Sequence, residues 1–311
     1  MARIKQEESK FHRFIVNRSL RIERLLRKYL ATPNASGPKE LRCAMEYSLL
    51  KGGKRFRPLL VYVLGQAYGT SLIKLDSSAV ALELTHTFSL IHDDLPAMDD
   101  DTLRRGKLTL HLAFDEATAI LAGDALLAMA FQVVSEDNKL TTKQRIMMIS
   151  ILAQACGPQG MAGGQYIDMH PSVDRVTRRY LNKLYILKTG GLMRAALQLG
   201  AVASGVVNHK KLQLLGQLAY KLGILFQLQD DIANVSGDAK RLGKNVGTDR
   251  RQNKLTYPAL MGVTMAKKEL LLLMESLNVL LKQLQLQESF ILPLLHKLLW
   301  GCRNPKFGND I

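Results

Sequence analysis

The chain has 311 residues, a formal net charge of +16 at pH 7, 47% hydrophobic residues and 23% charged residues. This composition excludes a disordered chain, and the length allows one large domain or two small ones. The excess positive charge suits nucleic acid, an anionic membrane or anionic small substrates. Because the basic residues are scattered and only 6% of residues are aromatic, a nucleic-acid partner is not expected.

The cysteines and the apolar runs indicate the compartment. Cys43, Cys156 and Cys302 are far apart and form no metal-type pair, which predicts free thiols in a reducing cytoplasm. The first residues are charged and lack the apolar core of a signal peptide, and no apolar run approaches the roughly 18 residues of a membrane span. We therefore expect a cytoplasmic protein without a transmembrane segment. The apolar stretch 290–300 is predicted to be a C-terminal helix packed on the core.

Helical periodicity dominates the chain from its start. Apolar residues recur every three to four positions in 11–30 and again in 34–50. Glycines and basic residues then form a hinge at 51–58, and 76–94 is predicted to be a helix that ends in acid. The remaining predicted helices are 115–135, 142–156, 174–188, 192–204, 209–234 and 256–284.

Strand signals are not found, since no stretch alternates with a period of two between hairpin turns. The sequence therefore predicts an all-α fold of roughly ten to twelve helices. No linker rich in proline, glycine or serine divides the chain, so we expect a single domain over residues 1–311.

Two predicted helices end in paired aspartates: LIHDDLPAMDDDTLRRG (90–106) and FQLQDDIANVSGD (226–238). At about 100° per residue, a continuous helix would direct Asp99 away from Asp93. Pro96 disfavours helix at the preceding residue and supplies no helical N–H. The chain is therefore expected to leave the helix there and to return Asp99 toward Asp93.

Clustered carboxylates of this kind favour a bound cation. Oxygen-only ligands suit Mg²⁺ or Mn²⁺, and Mg²⁺ usually shares one or two carboxylates with substrate phosphates. A solvated helix end is the alternative, but acids at a helix C-terminus oppose the macrodipole, and here this happens twice. The residues alone thus favour a metal–phosphate site.

Six motifs carry a resemblance to a known family. They are GGKRFRP (52–58), HTFSLIHDDLPAMDDDTLRRG (86–106), GGQYIDM (163–169), KTGGL (188–192), FQLQDDIANVSGD (226–238) and GKNVGTDRRQNKLTYP (243–258). In this order they resemble the trans-polyprenyl diphosphate synthases, and most closely the bacterial farnesyl diphosphate synthases.

The resemblance implies an all-α fold around a deep central cavity, usually in a homodimer, with the two aspartate motifs facing each other across its mouth. It also implies Mg²⁺ as cofactor, up to three ions, with Mn²⁺ as a possible substitute. The reaction would join isopentenyl diphosphate to an allylic diphosphate, either dimethylallyl or geranyl diphosphate.

The same resemblance assigns roles to individual residues. The metal-binding positions are Asp93, Asp94, Asp99, Asp230 and Asp231, with Asp93 and Asp99 as the expected direct ligands of the first motif. Isopentenyl diphosphate would contact Gly53, Lys54, Arg57, His86 and Arg105. The allylic diphosphate would face Arg104, Lys188 and Lys244. Polar residues near the reacting carbons would be Thr189 and Gln227, so the catalytic set is Lys188, Thr189, Gln227, Asp93 and Arg104.

Product length is predicted from the turns before the first motif. Phe88 precedes Asp93 by five residues, or about 7 Å along a helix, and Ser89 lies one turn before it. A ring at Phe88 would close the end of the cavity that holds the growing hydrocarbon chain. This favours the fifteen-carbon farnesyl product over the twenty-carbon geranylgeranyl product. A Phe88 side chain that only packs in the core is the alternative.

Asn234 departs from the family pattern, which usually has an aspartate there. The missing charge lowers the expected affinity for metal. Two alternatives therefore remain, a weakly active enzyme and a regulatory subunit of a synthase. A second alternative is an HD-type phosphohydrolase, with His86 and His92 as ligands, but it would leave the other five motifs unexplained.

Overall fold

The computed structural model describes residues 2–31, 37–171, 177–236 and 256–300. Most of these residues are helical, which confirms the predicted all-α fold. There are about 11 helices in the described ranges, counting the continuous run from Arg178 to Ala203 once and omitting the single turn Leu110–Ala113. The chain divides into unit 1, Met1–Leu152 with Gln198–Val206, and unit 2, Ala153–Leu197 with Val207–Ile311. The predicted single domain over 1–311 stays a prediction.

The described elements follow in chain order. They are α1 (Ala2–Leu30), α2 (Lys39–Leu49), α3 (Phe56–Ala67), α4 (Leu72–Asp93), β1 (Leu103–Arg104), β2 (Lys107–Leu108), α5 (Leu110–Ala113), α6 (Glu116–Ser135), α7 (Thr142–Cys156), α8 (Met161–Met169), α9 (Arg178–Tyr185), a π-helical turn (Ile186–Gly190), α10 (Gly191–Ala203), α11 (His209–Ser236), α12 (Tyr257–Gln283) and α13 (Ile291–Trp300).

Helix α4 forms the centre of unit 1. It is apolar on almost every side, as a helix buried all round must be, and it packs most extensively against α6 and α3. Gly123 of α6 permits close approach, because an added Cβ would lie 2.3 Å from Nε2 of His92. This packing fixes the end of α4, where the first aspartate pair lies.

A buried ion pair fixes the glycine-rich segment before α3. Arg55 adopts a positive φ of 46° at the start of α3, and its guanidinium bonds to Glu83 of α4. It also donates to Glu23 at 2.7 Å and to the carbonyl of Leu49 at 2.8 Å. Since breaking a buried pair leaves an uncompensated charge, these bonds hold the segment firmly on α1 and α4.

Unit 2 is organised around α11, which packs against α12 and against the π-helical turn. The hydroxyl of Thr177 caps α9 by accepting from Tyr180 N, and that of Thr256 caps α12 by accepting from Ala259 N. The predicted C-terminal helix is present as α13, whose Leu294 and Leu295 are buried, as expected.

Several elements were not predicted, α3 and α5 among them. Helix α8 covers the GGQYIDM motif, and a two-stranded antiparallel hairpin pairs Leu103 with Leu108 and Arg104 with Lys107. Each strand has only two residues, so no alternating pattern could reveal it. The hairpin depends instead on its turn, where Arg105 and Gly106 have φ values of 54° and 73°.

Helix α6 has an unusual surface. Among the described residues it is the one helix that is long and apolar enough to cross a membrane, judged by length and composition, and 39% of its most apolar window is buried. A core helix of a globular protein meets the same criteria. Ile120 and Leu121 of this helix are 43% and 57% exposed.

Candidate active site

The first aspartate motif follows the predicted path. Helix α4 ends at Asp93, and the backbone N–H of Asp99 donates to the carbonyl of Asp93 at 2.9 Å. A second backbone bond, from Asp100 N to the carbonyl of Leu95 at 3.1 Å, closes the loop around Pro96. The predicted return of Asp99 toward Asp93 is therefore confirmed for the backbone.

The two adjacent aspartates of this motif have different environments. Asp93 is half-buried, whereas Asp94 is only 3% exposed. Oδ1 of Asp94 accepts from Arg104 Nε at 2.8 Å and also from Arg104 Nη2. Arg104 donates further to Asp101 at 3.0 Å. Asp94 thus anchors an arginine, while Asp93 retains access to solvent.

The hairpin turn directs Arg105 toward the glycine pair. Its guanidinium donates to the carbonyl of Gly52 and lies directly against Gly53. A Cβ at Gly53 would lie 2.6 Å from Cζ of Arg105, and Gly53 also has a φ of 123°. The paired glycines therefore have a physical cause, because the positive φ values of Gly52 and Gly53 disfavour a side chain and an added Cβ at Gly53 would displace the Arg105 guanidinium.

Arg57, His86 and the neighbouring Arg105 form a cationic cluster, in which Arg57 and His86 have unsatisfied donors. Arg57 Nη1 lies 3.2 Å from His86 Nε2, and Arg57 Nε and His86 Nδ1 have no hydrogen-bond partner among the described residues. Burial, opposed by Glu83 and reinforced by Arg105, lowers the pKa of Arg57 to about 10. Burial and the neighbouring arginines lower the pKa of His86 well below 6.5, so this imidazole is neutral. Such a cluster favours an anion.

Phe88 and Ser89 lie on the turn of α4 that precedes the motif. The ring of Phe88 contacts His92 edge to face, with centroids 4.7 Å apart, and remains half-buried. Ser89 is buried, and its Oγ donates to the carbonyl of His86 at 2.9 Å. His92 Nε2 lies 3.1 Å from the carbonyl of Ile120, as expected for a packing residue.

In unit 2, Lys188 and Thr189 lie on the π-helical turn. Turns of this type are frequent at functional sites because they rotate side chains out of helical register. Nearby glycines make room for this turn: an added Cβ at Gly164 would lie 2.3 Å from Lys188 N, and one at Gly223 would lie 2.6 Å from Gly190 Cα. The side chain of Lys188 donates to Asp168 at 2.5 Å.

The second aspartate pair repeats the contrast seen in the first. Asp230 is exposed, whereas Asp231 is 2% exposed. Oδ2 of Asp231 accepts from the hydroxyl of Tyr185 at 2.6 Å and from the N–H of Tyr257 at 3.3 Å. Its Oδ1 accepts from Gln227 Nε2 at 3.2 Å.

Gln227 connects this carboxylate to the π-helical turn. Its amide oxygen accepts from the hydroxyl of Thr189 at 3.4 Å, while its amide nitrogen donates to Asp231. Thr189, Gln227 and Asp231, three residues expected from the sequence, are therefore brought together.

The structure leaves some assignments untested. Lys244 lies outside the described residues, and Lys54 is exposed. Within the described part of the chain, no three His, Cys, Asp or Glu side chains come together as a metal ligand set. The metal and substrate roles stay predictions.

Sequence reasoning missed several residues that shape the site. These are Tyr47, Lys51, Arg55 and Tyr185. Arg55 lies within the glycine-rich motif and could have been suspected from it, whereas nothing in the sequence marks the other three.

Comparison with known proteins identifies relatives over most of the chain. The sequence model of the family described as Polyprenyl synthetase matches residues 38–285. The farnesyl diphosphate synthase of Haemophilus influenzae is 48% identical over 227 residues, covering 73% of this chain and 77% of that protein. The Escherichia coli farnesyl diphosphate synthase is 47% identical over 242 residues, covering 77% and 81%.

Solved structures of related enzymes have the same fold as this chain. A geranyltransferase from Legionella pneumophila superposes with a TM-score of 0.78 at 32% identity, covering 94% of this chain and 99% of that one. A Helicobacter pylori geranyltransferase complexed with magnesium and isoprenyl diphosphate gives a TM-score of 0.77 at 32% identity, covering 92% and 94%.

Proposed function

Since this chain belongs to the polyprenyl synthetase family, as its motifs predicted, we propose that it is a farnesyl diphosphate synthase. It condenses isopentenyl diphosphate with dimethylallyl or geranyl diphosphate and releases diphosphate. The observation that carries this proposal is the cationic cluster of Arg57, His86 and Arg105 in unit 1, where the unsatisfied donors of Arg57 and His86 suit an anion.

The substrate contacts follow from charge and position. Arg57, with Nε unsatisfied, and His86, with Nδ1 unsatisfied, donate to the diphosphate of isopentenyl diphosphate. Gly53, Lys54 and Arg105 complete this subsite. The allylic diphosphate is bound by Arg104, Lys188 and Lys244.

Carboxylate oxygens fit magnesium at both aspartate motifs. The half-buried Asp93 and the exposed Asp230 present such oxygens, and Mg²⁺ binds one or two carboxylates together with waters and substrate phosphates. We assign direct binding to Asp93, Asp99 and Asp230, while Asp94 and Asp231 hold the surrounding side chains. Up to three ions, with Mn²⁺ as substitute, belong to this proposal. When bound, magnesium neutralises charge on the leaving diphosphate.

The protein promotes ionisation and then orients the two substrates. Arg104 and Lys188 stabilise the negative charge that develops as the allylic C–O bond breaks. The double bond of isopentenyl diphosphate, held by its own diphosphate, attacks the resulting carbocation and forms the new C–C bond. A proton then leaves the adjacent carbon, with the released diphosphate as acceptor, and a new alkene forms.

Polar residues on the π-helical turn and α11 act at the reacting carbons. Thr189 and Gln227 are held in one hydrogen-bonded row that ends at Asp231. We assign their oxygens to the side of the allylic carbon, where they would stabilise the developing positive charge electrostatically. Exclusion of water preserves the cation from conversion to an alcohol.

Phe88 limits the length of the product. Its ring is supported edge-on by His92, which is itself fixed against α6. Phe88→Ala is therefore expected to extend the product beyond fifteen carbons. Chromatography of the dephosphorylated products measures this, and an unchanged product would remove Phe88 from its role. Ser89→Ala tests the second position named for product length, and Lys74→Met, at an exposed position of α4, is the control that should leave the product unchanged.

We also propose a cytoplasmic homodimer. Helix α6 leaves the apolar residues Ile120, Leu121 and Ala128 exposed, and a second copy would cover them. Light scattering measures the mass in solution, and Leu121→Glu should shift it toward the monomer. A wild-type monomer at micromolar concentration would contradict the dimer.

Incubation of the purified chain with isopentenyl diphosphate, geranyl diphosphate and Mg²⁺ tests the activity. The expected product is farnesyl diphosphate, identified by mass spectrometry, and chelation of the metal should abolish it. Folded protein that elongates neither allylic substrate at any magnesium or manganese concentration would contradict the proposal.

A further inference from the structure

The hairpin that carries Arg104 and Arg105 is attached to α2 by contacts that the proposed reaction does not use. The carbonyl of Leu108 in β2 accepts two hydrogen bonds from side chains more than 50 residues earlier in the chain. The hydroxyl of Tyr47 donates at 2.9 Å and Nζ of Lys51 donates at 2.7 Å.

These two donors support each other. Nζ of Lys51 lies 3.8 Å from the centroid of the Tyr47 ring, within the range of a cation–π contact. Tyr47 belongs to α2, so its position is set by a regular helix, and Lys51 follows that helix by two residues. The pair forms a clasp, Tyr47 and Lys51 on the carbonyl of Leu108.

The hairpin is too short to hold its position by strand pairing alone, so it relies on contacts with its surroundings, among them the Arg104–Asp94 ion pair and this clasp. Its strands contain two residues each, and Arg105 adopts a positive φ that only surrounding contacts can maintain. In the turn of the hairpin, the guanidinium of Arg105 donates to the carbonyl of Gly52. The clasp and this bond therefore attach the hairpin at two points to the segment that ends α2.

The cavity beneath the hairpin connects the clasp to the arginines. It has a volume of about 20 Å³, and its lining includes Lys51, Thr87, Asp94, Arg104 and Arg105. A displacement of the hairpin would thus move both guanidinium groups relative to α4, which carries His86 and Asp94.

We propose that Tyr47 and Lys51 are positioning residues that clasp the Leu108 carbonyl and so hold Arg104 and Arg105 where a diphosphate group binds. This proposal rests on the proposed function for the identity of the bound group. The clasp acts through the hairpin and makes no contact with the reacting carbons.

Binding of inorganic pyrophosphate to the full chain, without metal and at pH 7, tests the clasp by calorimetry. Burial lowers the pKa of Lys51 to about 8, so this amine is mostly protonated at pH 7. Tyr47→Phe keeps the ring and removes only the hydroxyl, and we expect a three- to tenfold weaker affinity, about the loss of one hydrogen bond. Lys51→Met should weaken binding about tenfold, and Lys51→Arg should restore most of it.

Kinetics provide the second measurement. With both substrates and Mg²⁺, the clasp variants should raise KM for isopentenyl diphosphate by a similar factor, through Arg105, and should also lower kcat several-fold, through Arg104. Lys74→Met, at an exposed position of α4, is the control and should change neither quantity.

Three outcomes separate the possibilities. If Arg105→Met weakens pyrophosphate binding but Tyr47→Phe and Lys51→Met do not, the clasp is overturned and the proposed function stands. If Arg105→Met also has no effect, both the clasp and the assigned diphosphate site are overturned. Weaker binding in all three variants, with rescue by Lys51→Arg, supports the clasp even if no condensation activity is found.

Discussion

The two aspartate pairs of this chain look alike in sequence but are held by different chemistry. In each pair the first residue faces solvent, partly for Asp93 and fully for Asp230, and the second is buried. Asp94 is neutralised by a guanidinium group, whereas Asp231 is stabilised by neutral donors that include the hydroxyl of Tyr185. In each Asp-Asp pair, therefore, the more exposed aspartate is available to bind a ligand, and the buried aspartate stabilises the local fold.

Helix geometry explains this division. Consecutive residues on a helix point about 100° apart, so a pair at the edge of a buried face places one side chain inside and the other outside. The inner carboxylate must then find donors, because a buried unpaired charge is costly. The hairpin supplies Arg104 for the first pair, and α9 supplies Tyr185 for the second.

The largest expected effect follows from removing the outer carboxylates. Asp93→Asn and Asp230→Asn should each lower kcat by about 10² to 10³, the scale of losing one stabilising group in a transition state. Their melting temperatures should stay near that of the wild type. Steady-state assays with Mg²⁺ measure the loss, and Asp100→Asn, an exposed neighbour with a positive φ that asparagine tolerates, is the control. An equal loss of kcat in Asp93→Asn and Asp100→Asn would contradict a specific role for the outer aspartate.

Replacing an inner donor should mainly affect stability. Tyr185→Phe leaves the buried carboxylate of Asp231 without its 2.6 Å hydroxyl donor. The free energy of unfolding should fall by about 1.5 to 3 kcal/mol, typical of a hydrogen bond to a charged group. Urea unfolding measures it against Tyr166→Phe, whose side chain is 66% exposed. An unchanged midpoint in Tyr185→Phe would show that Asp231 does not depend on this donor.

A smaller effect is expected from Asn234, which lies one helical turn after Asp230. Asn234→Asp adds a negative charge to the second motif, and ligand charge raises the affinity for divalent cations. The magnesium concentration for half-maximal activity should fall by about three- to tenfold. If the magnesium requirement rises or stays constant, the asparagine is not the cause of weaker metal binding.

The last expected effect belongs to the cationic cluster of unit 1 and has a definite pH direction. Since burial lowers the pKa of His86 well below 6.5, the unfolded chain binds a proton below that value that the folded chain does not. Stability should therefore decrease as the pH falls from 7 to 5, with a slope of at most about 1.4 kcal/mol per pH unit from this group. His86→Gln should flatten the dependence of the melting temperature over this range. Parallel curves for the variant and the wild type would contradict the assignment.

The predictable parts of the molecule are those that depend on local chemistry. The period of the apolar residues indicated the helices, and Pro96 indicated the loop that returns Asp99 to Asp93, because both signals act within a few residues. The hairpin was missed because two-residue strands leave no pattern, and its turn uses an arginine at positive φ.

The π-helical turn and the burial of the second aspartates depend on distant residues. Gly164 and Gly223 make room for the turn from α8 and α11, and Tyr257 reaches Asp231 from 26 residues away. A single sequence does not reveal which glycine faces which helix. The two aspartate motifs could therefore be recognised from the sequence. Which aspartate of each pair is more exposed and which is buried could not be predicted from it.

A crystal structure of this chain with Mg²⁺ and inorganic pyrophosphate tests the central claim most directly. The account predicts a carboxylate oxygen of Asp93 and one of Asp230 each at about 2.0 to 2.1 Å from a magnesium ion. Asp94 should remain bonded to Arg104, and Asp231 to Tyr185. Magnesium bound by Asp94 or Asp231 in place of their neighbours, or no ion at either motif, would contradict it.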